Sequence, residues 1–139
     1  MTLSIQPRDK KPPRILIYGT PKVGKSTFGS LAPNPIFIQC EDGLAAIDSD
    51  SYPLATSFKQ VLGYLGELAT EAHEYKTLVV DSTDWLERLI HAQIAQENNV
   101  KQIDQIGYGK GYAMAIDLWR QYLDCLNYLR DERDMMIIQ

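Results

Sequence analysis

Residues 19–27 form the most informative stretch of this 139-residue chain, with the sequence Gly19-Thr20-Pro21-Lys22-Val23-Gly24-Lys25-Ser26-Thr27. The spacing matches the phosphate-binding pattern G-x-x-x-x-G-K-[ST] at every defined position. A short apolar run from Arg14 to Tyr18 precedes the pattern, and the residues from Thr27 to Leu31 favour a helix. Because this loop type occurs between a strand and a helix, the stretch predicts a P-loop.

The predicted P-loop residues share the work of holding a nucleoside triphosphate, and all nine are expected to line it. Gly19 and Gly24 allow a tight turn in which consecutive backbone N–H groups point at phosphate oxygens. Lys25 is expected to bridge the β- and γ-phosphates, in binding and in catalysis, and the Ser26 hydroxyl to ligate Mg²⁺. Thr27 lies beside them and is expected to reach the α-phosphate.

Length and composition predict one α/β domain. A chain of 139 residues with 45% hydrophobic content can bury one core but not two. The net charge of −4 argues against a strongly basic nucleic-acid binder. No apolar run approaches the roughly 18 residues that span a membrane, and the start of the chain has no apolar signal region. A cytoplasmic location without a membrane partner is therefore expected.

Strands and helices are predicted to alternate along the chain. Apolar runs predict strands, and helical spacing of apolar residues predicts helices. Such alternation is typical of a three-layer α/β fold with a mainly parallel central sheet covered on both faces. The predicted strands are residues 14–18, 36–40, 77–81 and 135–138, and the predicted helices after the first are residues 58–72, 84–97 and 112–131.

A second motif, which ends in an acidic residue, follows the P-loop in sequence. Leu78-Val79-Val80-Asp81 is a buried-type strand that ends in a carboxylate, which is the Walker B pattern. Ligands of parallel sheets gather at the carboxyl ends of the strands, so Asp81 should face the P-loop and hold Mg²⁺ through water. The alternative is that Asp81 caps the helix that begins near Asp84, a task that Ser82 could also perform.

Glu41 is the candidate catalytic base. It directly follows the strand Ile36–Cys40, and a carboxylate at that end of the sheet can reach the γ-phosphate region and activate water. The alternative is a turn residue, since Glu41-Asp42-Gly43 is also good turn chemistry.

These three motifs together resemble the ATPase core of the RecA/RadA-type recombinases, and in particular the phage-encoded branch labelled as AAA or nucleotide-binding proteins. The resemblance extends from about residue 14 to the end of the chain. It implies ATP and Mg²⁺ as ligands, hydrolysis with Glu41 activating water and Asp81 serving the metal, and a role in DNA recombination or single-strand annealing. It also implies a homo-oligomeric ring or filament, and the host-cell cytoplasm for a phage-encoded protein.

The polar connection at residues 98–111 occupies the place of a first DNA-binding loop in that family. Lys101, Tyr108, Lys110 and Tyr112 offer cations beside aromatic faces, which suit contact with single-stranded DNA. The alternative is a loop whose tyrosines pack back on the domain, which the acidic net charge favours.

Residues 1–13 are predicted to be a flexible basic arm, because three prolines discourage helix and the lysines and arginines are close together. Residues 14–139 then form the P-loop NTPase core. In RecA-like proteins the strand matched by residues 135–138 lies between the P-loop strand and the Walker B strand, and further strands follow it. Compared with the family, this core is therefore expected to be incomplete at its C-terminal end.

Three functions remain open on the sequence. The first is an ATPase of phage-type recombination or annealing. The second is a nucleotide-binding module without turnover that assembles with partner subunits. The third is a small-molecule kinase, although no arginine-rich lid is recognisable in the sequence.

Overall fold

A computed structural model of the chain describes residues 2–8, 10–19, 24–42 and 48–139. Five parallel strands form one sheet in the order β1-β5-β4-β2-β3. The strands are β1 (Arg14–Ile15), β2 (Pro35–Gln39), β3 (Asp50–Ser51), β4 (Thr77–Asp81) and β5 (Met136–Ile138). The helices are α1 (Lys25–Ser30), α2 (Phe58–Thr70), α3 (Thr83–Glu97) and α4 (Lys110–Glu132), with two 3₁₀ turns at Ile103–Gln105 and Gly107–Gly109.

The core is divided between the two faces of the sheet, as the alternation of side chains along a strand requires. On one face, Ile36, Ile38, Leu78, Val80 and Ile137 pack against α2, α3 and α4 in the larger apolar cluster. On the other face, the smaller cluster consists of Phe37, Val79 and Ile138. This smaller face is the one that α1 covers, so the fold has three layers, as predicted.

Two glycines fix the position of α1 above the sheet. Gly24 precedes the helix with φ of 101°, a conformation that favours glycine. Gly29 is buried, and a Cβ placed there would lie 2.8 Å from Val79 Cγ1 and 3.4 Å from the Phe37 ring. The backbone of α1 can therefore approach β2 and β4 only because residue 29 has no side chain.

Substitution of Gly29 by alanine is expected to destabilise the fold. The clash with Val79 should cost about 1–3 kcal/mol, of which alanine's better helix propensity recovers about 1 kcal/mol at most. The matched control is Gly63→Ala in α2, where a Cβ meets nothing within 4 Å. We expect Gly29→Ala to lower the melting temperature and Gly63→Ala to keep or raise it. Equal melting temperatures for the two variants would contradict the close approach of α1.

Helix α4 reaches well past the sheet. Its 23 residues span about 34 Å, whereas a five-residue strand spans about 17 Å. A short connection leads from its C-terminal end to the beginning of β5, where the Met135 amide donates to the Leu129 carbonyl at 3.2 Å. The N-terminal part of α4 and the 3₁₀ turns before it therefore lie on the carboxyl side of the strands.

The predicted elements and the observed ones agree in type and order. β5 lies between the P-loop strand β1 and the Walker B strand β4, as the resemblance to RecA-like proteins implies. The predicted first strand is longer than β1, although pairing continues to Ile17, whose amide donates to the Gln139 carbonyl at 2.7 Å. β3 was not predicted, and the last helix begins at Lys110, two residues earlier than its apolar periodicity indicates.

Residues 2–8 of the predicted arm are exposed, and the segment just before β1 contacts the domain. Lys11 forms an ion pair with Asp131 at 2.9 Å, and the Pro12 carbonyl accepts from Arg130 Nε at 3.0 Å. The flexibility of the arm stays a prediction. Within the part of the chain that the structure describes, no helix combines the length and the apolar character needed to cross a bilayer.

Candidate nucleotide-binding site

The described ends of the predicted P-loop meet beside β1. Thr20, Pro21, Lys22 and Val23 lie outside the described residues, so their predicted role stays a prediction. Lys25 opens α1 and its Nζ donates to the Gly19 carbonyl at 2.9 Å, across the loop. The ammonium group is thus held at the mouth of the loop, where the motif requires a cation.

Ser26 and Asp81 come together although 55 positions separate them in sequence. The Ser26 hydroxyl donates a hydrogen bond to Asp81 Oδ2, and the pair is partly buried. β4 ends at Asp81 and α1 begins at Lys25, so both side chains lie at the carboxyl edge of the sheet. A hydroxyl and a carboxylate are the hard oxygen ligands that Mg²⁺ prefers, so the two residues fit the metal predicted here.

Glu41 reaches the same cleft from the other side of β4. β2 pairs with β4 in register, and the Cys40 amide donates to the Asp81 carbonyl at 2.8 Å. This pairing extends past the end of β2, so Glu41 emerges beside Ser82, whose hydroxyl lies 3.5 Å from Glu41 Oε2. The carboxylate of Glu41 is exposed and faces the P-loop, whereas Asp42 does not line the cleft.

One open cleft of about 600 Å³ unites these side chains. Its lining also contains residues that the sequence did not single out for binding, namely Ser82, Asp84 and Trp85. They belong to the start of α3, which leaves the sheet directly after Asp81. These three residues could have been predicted from the sequence, because the first turn of a helix that follows the carboxyl end of a strand faces the ligand side of a parallel sheet.

A smaller cavity of about 240 Å³ adjoins the P-loop and is lined by Lys25, Ser26, Asp81 and Gln139, among others. Gln139 is held in place by Tyr122, a fully buried residue of α4 whose hydroxyl donates to Gln139 Oε1 at 2.7 Å. Burial raises the pKa of Tyr122 well above its ordinary value, so this hydroxyl keeps its proton and remains a donor.

Cys40 lies next to Glu41 but is unsuited to nucleophilic chemistry. Burial, with a smaller contribution from the negative charge of Asp81, raises the pKa of its thiol to about 12. Because the thiolate is the reactive form, Cys40 stays a neutral core residue at physiological pH. Among the described residues, no group of three or more histidine, cysteine, aspartate or glutamate side chains is arranged to hold a metal ion.

The predicted DNA-contacting residues lie between the end of α3 and the first turn of α4, and none of the four lines the nucleotide cleft. Tyr108 is fully exposed and has a φ of 58°, and Lys101 and Lys110 are exposed as well. Tyr112 is half exposed and packs its ring edge against His91 with the centroids 5.6 Å apart. One tyrosine therefore packs on the domain, as the alternative interpretation has it, and the other projects into solvent.

Comparison with known proteins places this site in a family. No solved structure matches the chain. The SPbeta prophage-derived uncharacterized protein YorG of Bacillus subtilis (strain 168) is 29% identical over 112 residues, which are 78% of this chain and 33% of the relative. The chain thus spans about a third of the length of that relative. The profile of the family described as AAA domain matches residues 11–139, so the chain belongs to the AAA domain family of P-loop nucleotide-binding proteins.

Proposed function

We propose that this chain binds magnesium ATP in the cleft above β4, hydrolyses it, and uses the turnover in phage-type DNA recombination or single-strand annealing. Membership of the AAA domain family supports nucleotide binding, and the prophage-derived relative supports a phage setting. The recombination role rests on the resemblance to the RecA/RadA-type ATPase core.

The observation that carries the proposal is the convergence of three chain segments on one cleft. Lys25 and Ser26 come from α1, Asp81 ends β4, and Glu41 follows β2. A cation for the phosphates, two oxygen ligands for a metal and a free carboxylate are the groups that nucleotide hydrolysis needs. Side chains this far apart in sequence would not meet at one sheet edge unless the strand order placed them there.

Each residue has a distinct task in the proposed reaction. The Lys25 ammonium attracts the β- and γ-phosphates and stabilises the charge that develops between them. Ser26 and Asp81 would hold Mg²⁺, which would neutralise part of the negative charge of the phosphate oxygens. Glu41, exposed to the cleft, accepts a proton from the attacking water. Ser82 lines the same cleft, and its hydroxyl lies 3.5 Å from Glu41 Oε2.

Steady-state release of phosphate from magnesium ATP, with and without single-stranded DNA, tests this proposal. We expect turnover that requires magnesium and rises when single-stranded DNA is added. Double-stranded DNA of the same sequence is the matched control for the DNA effect. Turnover that ignores DNA would remove the recombination role and leave a simple ATPase.

A binding module without turnover is the second candidate, and the environment of Glu41 favours it. The carboxylate is exposed, and its contact with Ser82 is long, at 3.5 Å. Such a site would need a partner subunit, from a ring or filament of this chain, to complete it. Saturable nucleotide binding without phosphate release would establish this candidate. A kinase has less support, because no arginine-rich lid is recognisable in the sequence.

Tyr108 tests the DNA-binding part of the proposal. Its ring is fully exposed between two glycines, as a stacking platform for a base would be. We expect Tyr108→Ala to weaken binding of an oligothymidylate by about tenfold, within the range that one stacked base contributes. Tyr128→Ala is the control, because Tyr128 is half exposed near the far end of α4. Equal affinities for the two variants would mean that DNA binds at another surface of the chain or does not bind at all.

A further inference from the structure

Trp85 places a large aromatic surface in the wall of the nucleotide cleft. It lies in the first turn of α3, one residue after Asp84 and four after Asp81, and 37% of it is exposed. Trp85 lines the same cleft as Ser26 and Asp81, the residues that would hold the metal, so this wall belongs to the region that would receive metal-bound phosphates.

The guanidinium of Arg88 lies over the ring of Trp85, with Cζ at 4.1 Å from the ring centroid. This stacking is a cation–π contact, which holds a planar cation flat against an aromatic face. Among the described residues, Arg88 has neither an ion-pair partner nor a hydrogen-bond acceptor. Arg130 and Arg133, by contrast, both donate to backbone carbonyls.

The charges in the cleft favour an additional cation near the bound nucleotide. The described part of the cleft lining contains one cationic side chain, Lys25, and three carboxylates, Glu41, Asp81 and Asp84. A magnesium-bound triphosphate is itself an anion. Repulsion from the carboxylates of Glu41 and Asp84, which are not proposed to hold the metal, would weaken its binding. A guanidinium beside Trp85 would offset this repulsion when it turns into the cleft, and it offers a fork of donors that matches phosphate oxygens.

We propose that Arg88, which stacks on the cleft residue Trp85, is a further nucleotide-binding residue that reaches into the cleft and contacts the terminal phosphate of a nucleoside triphosphate. The inference rests on the proposed function, because it assumes that the cleft binds magnesium ATP. It adds a specificity: Arg88 favours the triphosphate over the diphosphate, which lacks the group that Arg88 contacts. Release of the terminal phosphate then frees the guanidinium to return to the Trp85 ring.

Equilibrium titrations with the magnesium complexes of a non-hydrolysable ATP analogue and of ADP test the inference. Arg88→Gln is expected to weaken binding of the triphosphate analogue by about tenfold, the effect of one charge-assisted hydrogen bond, and of ADP by less than about twofold. Arg120→Gln is the control, because Arg120 is exposed on α4 and lies 3.9 Å from Asp117, outside the cleft. Since Arg88 and Arg120 are both exposed, neither change should alter the far-UV circular dichroism or the melting temperature.

The outcomes separate this inference from the proposed function. If the unmodified chain binds neither nucleotide, the proposed function fails and the role of Arg88 fails with it. If the unmodified chain binds both and Arg88→Gln leaves the ratio of the two affinities unchanged, only the role of Arg88 is overturned.

Tryptophan fluorescence gives a second test that leaves Arg88 in place. The chain has two tryptophans, so Trp119→Phe leaves Trp85 as the only tryptophan, which can be excited selectively over the tyrosines. Because the triphosphate draws the guanidinium off the ring, we expect the emission of Trp85 to change with the triphosphate analogue and to stay nearly constant with ADP. Identical responses to the two nucleotides would contradict the inference.

Discussion

Replacement of Lys25 by alanine is expected to weaken the binding of magnesium ATP by at least about 100-fold. Lys25 is the cationic side chain in the described lining of the cleft, and its Nζ is already positioned at the loop mouth by the Gly19 carbonyl. Two charge-assisted hydrogen bonds to phosphate oxygens, at about 1.5 kcal/mol each, account for an effect of this size. Titration calorimetry with a non-hydrolysable analogue measures it.

A change at Lys59 provides the control for this experiment. Lys59→Ala removes the same charge from the exposed side of α2, so the net charge of the two variants is equal. We expect Lys59→Ala to bind nucleotide like the unmodified chain. If both variants lost affinity equally, the effect would come from the overall charge, and the P-loop would have no special role.

Replacement of Glu41 by glutamine is expected to abolish turnover while ATP remains bound. The amide keeps the size of the side chain and removes its basicity, and a general base contributes about 10²–10⁴-fold to rate. Lys25 and Ser26 are on α1 and Asp81 ends β4, so the groups proposed to hold the phosphates and the metal are unaffected. Single-turnover hydrolysis, measured together with nucleotide affinity, separates the two effects.

Asp42→Asn is the matched control for Glu41, because Asp42 is the neighbouring carboxylate and does not line the cleft. Its turnover should equal that of the unmodified chain. Full activity of Glu41→Gln would assign the base elsewhere, and Asp84 would then be the carboxylate to examine next, since it lines the same cleft.

The centre of the sheet could be predicted from sequence because β2 and β4 are short, apolar and buried on both faces. β2 and β4 are runs such as Ile36–Ile38 and Leu78–Val80, which only a central strand can bury completely. The position of β5 between β1 and β4 came from the family resemblance, since apolar periodicity carries no information on strand order. β3 escaped prediction because two polar residues, Asp50 and Ser51, have no period to detect.

The candidate site was predictable only where a local motif encodes it. Lys25, Ser26 and Asp81 belong to motifs whose spacing is set by one loop or one strand end. Trp85 and Arg88 became candidates through tertiary geometry, because the cleft lining and the stacking of one side chain on the other depend on where α3 leaves the sheet. A cation–π contact between residues three apart on a helix is indistinguishable in sequence from an ordinary exposed face.

The most direct test of the account is a calorimetric titration of the unmodified chain with a non-hydrolysable ATP analogue in the presence of magnesium. We predict saturable binding to one site per chain, competed by ADP and greatly weakened when magnesium is removed with EDTA. A folded chain, verified by circular dichroism, that shows no saturable heat with or without magnesium would contradict the assignment of a nucleotide site to Lys25, Ser26 and Asp81.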